Sequence, residues 1–325
     1  MTKGYKHLTY EQRCQISILK TRGDCPSKIA KTLGVHRSKI TRELNRNSEG
    51  EAYSPEQAQR KTENRRKRPL AKKMSPDMIA IIEEKLKMDL SPVQISGWLK
   101  RHGKEYVSYE TIYKHIWADK KKGGTLYKHL RHSGKKYYKR SKGTAGRGCI
   151  PGRVDIKERP IIVETKIRLG DWELDTIIGA NHQGAIVSMV DRATKLTKLV
   201  KVSHKTAQEV KDALIKKLGP IREFVYTLTA DNGKEFAYHQ SVSEALQADF
   251  FFATPYHSWE RGLNEHTNGL VRQYFPKSLS FDNITEEDIE RVETLLNNRP
   301  RKILDFETPL EAFNRLATRK SRDAA

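Results

Sequence analysis

The chain has no run of eighteen or more apolar residues, and so no segment of membrane-spanning length. The opening stretch MTKGYKHLTYEQ lacks the apolar core of a secretory signal, and the expectation is a soluble, cytoplasmic protein with no membrane partner. Cysteine is scarce. Cys14, Cys25 and Cys149 are odd in number and form no Cys-x-x-Cys pair, which argues against both a disulfide framework and a zinc site. Hydrophobic residues make up only 36% of the sequence, yet 325 residues suffice for two or three domains, one of them with a substantial core.

Acidic residues run short in the first half alone. Residues 1–160 carry 39 Lys and Arg against 16 Asp and Glu, whereas residues 161–325 carry 23 against 24. The net charge of +22 therefore sits entirely on the first half. Such a charge suits nucleic acid, an acidic protein or an anionic membrane surface, and a solvated basic surface is the ordinary reading of any charge run. An excess confined to half a chain points instead to a binding module.

Residues 8–47 read as three short helices. Thr9 and Gln12 make a capping box, and Ile16 and Leu19 fall on one face of the first helix. Pro26 suits a first helical turn and Gly34 a left-handed stop. A third helix from Arg37 to Asn45 turns Ile40 and Leu44 inward. Ala30, Gly34 and Ile40 then have helix-turn-helix spacing, with the last helix offered to the major groove. Its candidate DNA contacts are Arg37, Ser38, Lys39, Thr41, Arg42 and Arg46; an ordinary three-helix bundle with a basic face is the competing reading.

The expected organisation has five parts. Residues 1–50 form the helix-turn-helix domain, 51–74 a basic linker without apolar periodicity, and 75–118 a second, helix-turn-helix-like helical domain opened by caps at Ser91 and Ser108. Residues 119–160, rich in Lys, Arg, Gly and Ser, form a basic connector. From 161 to 325 the texture changes. Strands are expected at Trp172–Ile178, Ala185–Val190, Leu196–Val202, Phe224–Thr229 and Phe250–Ala253, with helices at Ala207–Leu218, His239–Ala248, Gly262–Tyr274 and Glu286–Asn297. Three strands in meander followed by alternating helix and strand predict a mixed five-stranded sheet of the ribonuclease-H-like kind.

Three acids fall where that order of elements would gather them. Asp175 lies in the first strand, Asp231 just after the fourth, and Glu265 on the helix after the fifth, with 33 residues between the last two. Magnesium takes hard oxygen ligands and keeps several waters, so convergent carboxylates plus substrate phosphates suit it. Two such ions about 3.5–4 Å apart bind the attacking and leaving oxygens of an in-line displacement. Asp171, Glu173, Asp191, Glu235 and Glu260 compete for the role. Asp171, Glu173 and Asp175 share one face of an alternating strand, and periodicity alone does not choose among them. Arg261, Arg272 and Lys277 flank Glu265 and are candidate phosphate contacts, with surface ion pairs explaining them nearly as well.

The strings LTYEQR, IAKTLGVHRSKITRELNRN, GDWELDTIIG, TADNGKEF, TPYHSWERGLNEHTNGLVRQYFPK and NNRPRKILDFETPLEAF, in this order, resemble the IS-thirty family of bacterial insertion-sequence transposases, which have a retroviral-integrase-like core. The resemblance spans most of the chain. It implies that Asp175, Asp231 and Glu265 are the catalytic and metal-holding acids, with two Mg²⁺ ions and Mn²⁺ able to substitute. It also implies recognition of terminal inverted repeats in double-stranded DNA, strand cleavage and joining to target DNA, and a nucleoid-associated protein. Synapsis of two ends calls for at least a homodimer on DNA. One departure is Leu174, where the family usually has glycine, and the leucine side chain is expected to crowd the strand edge. The alternatives are a DNA-binding regulator with an inactive core and a metal-dependent nuclease.

Overall fold

The computed structural model describes residues 7–48, 50, 52–67, 74–131, 150–255, 257, 260 and 262–323. The chain divides into two compact units, Met1–Lys72 and Lys73–Ala325.

In the first unit, α1 (Tyr10–Thr21), α2 (Pro26–Thr32), α3 (Arg37–Asn47) and α4 (Pro55–Lys67) enclose Ile16, Leu19, Ile29, Ala30, Ile40 and Ala58. The Thr9–Gln12 capping box is formed, satisfying amides that the first turn of α1 would otherwise leave bare. Gly34 takes φ +60° at the turn between α2 and α3.

The expected basic linker is corrected here, because residues 55–67 form a helix. Its packing face is polar, which hides it from apolar periodicity. Arg13, 3% exposed, donates to Glu43 on α3 at 2.7 Å, to the Leu8 carbonyl at 3.0 Å, and to Gln59 and Thr62 on α4 at 2.7 and 3.3 Å. Tyr53 donates its hydroxyl to Glu43 at 3.2 Å. Burial, followed by the Glu43 charge, raises the Tyr53 pKa well above its ordinary value.

The second unit begins with α5 (Pro76–Lys87), α6 (Pro92–Arg101) and α7 (Tyr109–Lys121), packed around Ile82, Leu86, Ile95, Leu99, Ile112 and Ile116. The Ser91 and Ser108 caps stand as expected. The 119–160 connector needs correction at both ends. At its start α7 runs to Lys121, and a 3₁₀ turn at Leu126–His129 packs Leu126 back onto this core. At its end, Phe252 donates its amide to the Val154 carbonyl at 2.9 Å, and Ile150 enters the core of the sheet. Residues 132–149 lie outside the described residues.

After a single-turn α8 (Ile162–Thr165), the sheet is built from β1 (Asp171–Ile178), β2 (Ala185–Asp191), β3 (Thr197–Val202), β4 (Thr227–Ala230) and β5 (Asp249–Phe252), in spatial order β3-β2-β1-β4-β5. β1, β2 and β3 are antiparallel neighbours, and β4 and β5 run parallel to β1. This is the expected ribonuclease-H-like arrangement. Helices α9 (Ala207–Leu218) and α10 (His239–Leu246) cover one face, while α11 (Gly262–Tyr274) and α12 (Glu286–Asn297) cover the other; α13 (Pro309–Asp323) follows. The fourth strand is shorter than read. Gly219–Phe224 winds into 3₁₀ turns, and the Phe224 carbonyl accepts the Trp172 indole N–H at 2.9 Å.

The pleat of β1 sorts its side chains. Trp172 and Leu174 enter the core beneath α9 and α10, while Ile177 joins the opposite cluster with Leu270 and Val271 of α11. Leu174 is fully buried in that core. The expected crowding of the strand edge by Leu174 is therefore corrected: its bulk lies on the face that Asp175 does not occupy.

The three-helix unit is joined to the sheet domain through residues 299–307. Gln94 donates to the Pro300 carbonyl at 3.0 Å, and Arg101 reaches the Glu307 carboxylate at 3.6 Å. Gly97 faces Phe306 so closely that a Cβ there would stand 2.1 Å from the ring.

Candidate functional site

β1 and β4 pair in parallel with Asp171 opposite Thr227 and Glu173 opposite Thr229. β4 ends at Ala230, so Asp231 is the first residue beyond it, and the same offset continued by two residues would put it opposite Asp175. Each aspartate is oriented by its own loop or strand. Asp231 Oδ1 accepts the Gly233 amide at 3.0 Å, closing a short turn. Asn232 fixes that turn from behind: its Oδ1 accepts from Arg153 at 2.6 Å and its Nδ2 donates to the Ala253 carbonyl at 2.7 Å.

Asp175 Oδ1 accepts the Thr176 amide at 2.9 Å, and Asp175 Oδ2 accepts from Asn268 Nδ2 at 2.7 Å. Asn268 Oδ1 in turn accepts from the Ser188 hydroxyl at 2.9 Å, and Ser188 is the residue paired with Asp175 across β1 and β2. Asn268 lies three residues after Glu265 on α11, a spacing that keeps both on one side of the helix. The helix bearing Glu265 is thereby tied to the strand bearing Asp175. Asn268 was not among the sequence candidates; its place one turn beyond Glu265 was the available signal.

The competing acids are engaged elsewhere. Asp171 is fully buried, takes Arg168 at 2.6 Å and accepts from Thr227 at 2.8 Å. Glu173 is buried against Arg192 at 3.2 Å and accepts the Asn264 amide at 3.3 Å. Asp191 accepts the amides of Gly170 and Thr194 at 2.8 and 2.7 Å, and burial raises its pKa. Glu235 takes Lys205 at 2.6 Å and the Thr176 hydroxyl at 2.9 Å. Glu260 accepts the Thr254 amide at 2.8 Å.

Glu265 is exposed on the first turn of α11. Among the described residues, no three His, Cys, Asp or Glu side chains are gathered as a ready metal-ligand group. Asp175 in β1 and Asp231 just after β4 thus belong to neighbouring strands and Glu265 lies on the tethered helix, without the three closing into one shell. Hard carboxylate oxygens on neighbouring strands are nonetheless the donor chemistry a magnesium-like ion takes.

The flanking cations differ from the sequence expectation. Arg272 donates to the Ile178 carbonyl at 2.6 Å and to the Phe275 carbonyl at 3.4 Å, and burial lowers its pKa. Its guanidinium holds α11 to the end of β1, so the expected phosphate contact is corrected to a structural one. Lys277 is exposed. Arg261 lies outside the described residues. His266 has its pKa lowered by burial, then by Arg301 and Arg131.

In the first unit, Arg37, Arg42 and Arg46 are exposed on α3, while Ser38, Lys39 and Thr41 are half-buried. His36 caps the helix by accepting the Ser38 amide at 3.3 Å, and Arg42 lies over Ser38 at 3.4 Å. Lys39, Arg42 and Arg46 of α3 and Arg65 of α4 line one cleft of about 270 Å³ above the Arg13–Glu43 pair.

A helix-turn-helix module followed by a sheet of this order, with Asp175 on the central strand and Asp231 just after the strand beside it, defines a protein of the integrase-core class. A family model described as a helix-turn-helix domain matches residues 4–47. The chain is similar to the transposase for insertion sequence element IS4351 of Bacteroides fragilis, at 47% identity over 97% of this chain and 98% of that one. It is also similar to the transposase InsI for insertion sequence element IS30A of Escherichia coli K12, at 34% identity over 96% of this chain and 85% of that one. Among solved structures, the catalytic core domain of BIV integrase is similar at 20% identity and a TM-score of 0.37, covering 46% of this chain and 97% of that one. The chain belongs to the IS-thirty family of insertion-sequence transposases.

Proposed function

We propose that the protein is a DNA transposase of the DDE type, binding the terminal inverted repeats of an insertion sequence and catalysing metal-dependent strand cleavage and strand transfer. The observation that supports the reading is the register of β1 and β4, whose continuation would bring Asp175 beside Asp231, together with the Asn268 bond that ties the Glu265 helix to the Asp175 strand. Asp175 and Asp231 would hold Mg²⁺ ions, or Mn²⁺ in their stead, and Glu265 would complete the set. Bound there, the ions supply activation of a water or 3′-hydroxyl nucleophile and stabilisation of the departing 3′-oxygen.

The protein's own part is positioning. Gly233 and Thr176 amides fix the carboxylate rotamers, so the aspartates present their remaining lone pairs without a search through side-chain conformations. The exposed arginines of α3 supply sequence-independent attraction to phosphates, and the polar residues between them address base edges. Two repeat ends brought together call for at least a dimer on DNA.

The test uses full-length protein, Mg²⁺ and a labelled duplex ending in the element's repeat. Asp231→Asn keeps the side-chain shape and removes the charge; the expected result is retained repeat binding with nicking and joining both lost. Normal turnover by this variant would remove Asp231 from the site. Binding without nicks in the unaltered protein would favour a regulator, and nicks that never become joints a nuclease.

A further inference from the structure

The flank of α11 beside Glu265 meets a group of arginines from two distant parts of the chain. Gly269, one turn beyond Glu265, admits Arg131: a Cβ at that glycine would stand 2.8 Å from Arg131 Nη2. Arg299 and Arg301 approach from the segment after α12 and are 3% and 9% exposed. Arg299 donates one Nη to the Tyr274 hydroxyl at 2.7 Å, and Arg301 donates one to the Leu296 carbonyl at 3.2 Å. The Nε of each is buried with no hydrogen-bond partner among the described residues.

Among the described residues, no carboxylate forms an ion pair with Arg131, Arg299 or Arg301. Asp89 is linked to the group through Tyr274 and otherwise pairs with His129 at 3.2 Å, while Glu307, whose carbonyl accepts the Arg301 amide at 3.0 Å, pairs its carboxylate with Arg315 and Arg101. Residues 132–149, which follow Arg131, contain no Asp or Glu. The charges register one another. Burial and then Arg299 depress the Arg131 pKa, and burial, Arg299 and Arg131 act on Arg301, bringing it down to about 10.

A buried N–H without a partner destabilises the fold, and more so on a charged group. Uncompensated buried charge adds a further cost. An oxyanion would relieve both at once, because its oxygens accept from the guanidinium forks and its charge cancels their repulsion.

We propose that Arg131, Arg299 and Arg301, with His266 beside them, form a phosphate-binding site that grips one backbone phosphodiester of DNA next to Glu265. This rests on the DNA-cleaving reading above, and it names a contact that reading does not require. The site draws Arg131 from the end of the three-helix unit and the other two from the sheet domain. A bound phosphate therefore bridges the two.

Two measurements on the full-length protein test it. In the first, thermal unfolding is followed while inorganic phosphate replaces chloride at constant ionic strength. The expected result is a rise in Tm that Arg301→Gln flattens and that Arg301→Lys restores only in part, since lysine lacks the fork. Should Arg301→Gln fail to fold, Arg131→Gln, whose side chain is largely exposed, makes the same comparison.

In the second, repeat-end duplexes carry a neutral methylphosphonate at one backbone position at a time. The unaltered protein is expected to lose about tenfold in affinity at one position. The Arg131→Gln or Arg301→Gln variant is expected to be indifferent to that substitution, with a salt slope smaller by about one.

Variants that respond to phosphate and to the methylphosphonates as the unaltered protein does would overturn the site. A phosphate response with no DNA effect would assign it to a free anion and overturn the DNA contact. Loss of self-association in place of either response would mark an acidic segment of a second copy as the occupant, which also overturns it. Intact results in both measurements without any nicking would leave the anion site standing and remove the cleavage reading alone.

Discussion

Asn268 donates its side-chain amide to Asp175 across 2.7 Å, and its own orientation is fixed by the Ser188 hydroxyl at 2.9 Å. Asn268→Ala removes the side-chain hydrogen bond between the Glu265 helix and the Asp175 carboxylate while leaving the buried face of α11 intact. A residue of this supporting kind is expected to matter about 10–100-fold to activity or metal affinity. Nicking should fall by that factor, with the Mg²⁺ concentration for half-maximal rate moved upward and Tm nearly constant. An unchanged metal dependence would count against the positioning role.

Arg13 is the cation around which α1, α3 and α4 close. Arg13→Met leaves Glu43, whose side chain is 11% exposed, without its guanidinium partner. Breaking such a buried pair from one side costs about 3–5 kcal/mol. Scanning calorimetry of the full chain should show the transition of the first unit weakened or gone and repeat binding lost with it. A melt matching that of the unaltered protein would contradict this account.

Gly97 and Phe306 set the distance between α6 and the 299–307 segment. A methyl at position 97 meets ring carbons at 2.1–2.3 Å, so Gly97→Ala forces the ring or the helix to move, at about 1–3 kcal/mol. Asp305 and Phe306 both hold positive φ, 51° and 61°, a conformation that costs non-glycine residues energy and is kept here by the packing around it. Adding Phe306→Ala to Gly97→Ala should recover part of the loss. A double-mutant cycle by thermal unfolding reads the coupling, and strict additivity would mean that the two do not press on each other.

Glu307 joins Arg315 of α13 at 2.9 Å and Arg101 of α6 at 3.6 Å. The Arg315 hydrogen bond, foremost, holds its carboxyl below the ordinary value of 4.5. A depressed carboxylate pKa in the folded state adds stability that is full above the ordinary value and is lost as pH falls through the folded one. Glu307→Gln should therefore flatten the acid side of the stability–pH profile below about pH 4.5 and leave neutral pH less affected by titration. An acid limb identical in both proteins would refute the assignment.

Much of the architecture was legible because it is local. The caps at Thr9, Ser91 and Ser108 and the bounds of α9, α11 and α12 follow from side chains within a turn of where they act. Helix α4 was not legible, because its docking depends on Arg13, 46 and 49 residues away from Gln59 and Thr62. The three acids on one face of β1 illustrate the same limit. Strand alternation put Asp171, Glu173 and Asp175 together, and their partners tell them apart: Arg168 nearby for Asp171, and the distant Arg192 and Asn268 for Glu173 and Asp175. The arginines at 131, 299 and 301 carried no local sign of meeting at α11.

The pleat that sends Leu174 one way and Asp175 the other has a bearing on how such a chain can diverge. Neighbouring codons here answer to separate selective pressures: one to the volume beneath α9 and α10, the next to the chemistry facing α11. Exchanges of size at 174 are absorbed by drift in the helices below it, whereas the loss or gain of a single residue upstream in β1 would swap the two faces at a stroke. Along this strand, substitution is tolerated and length is not.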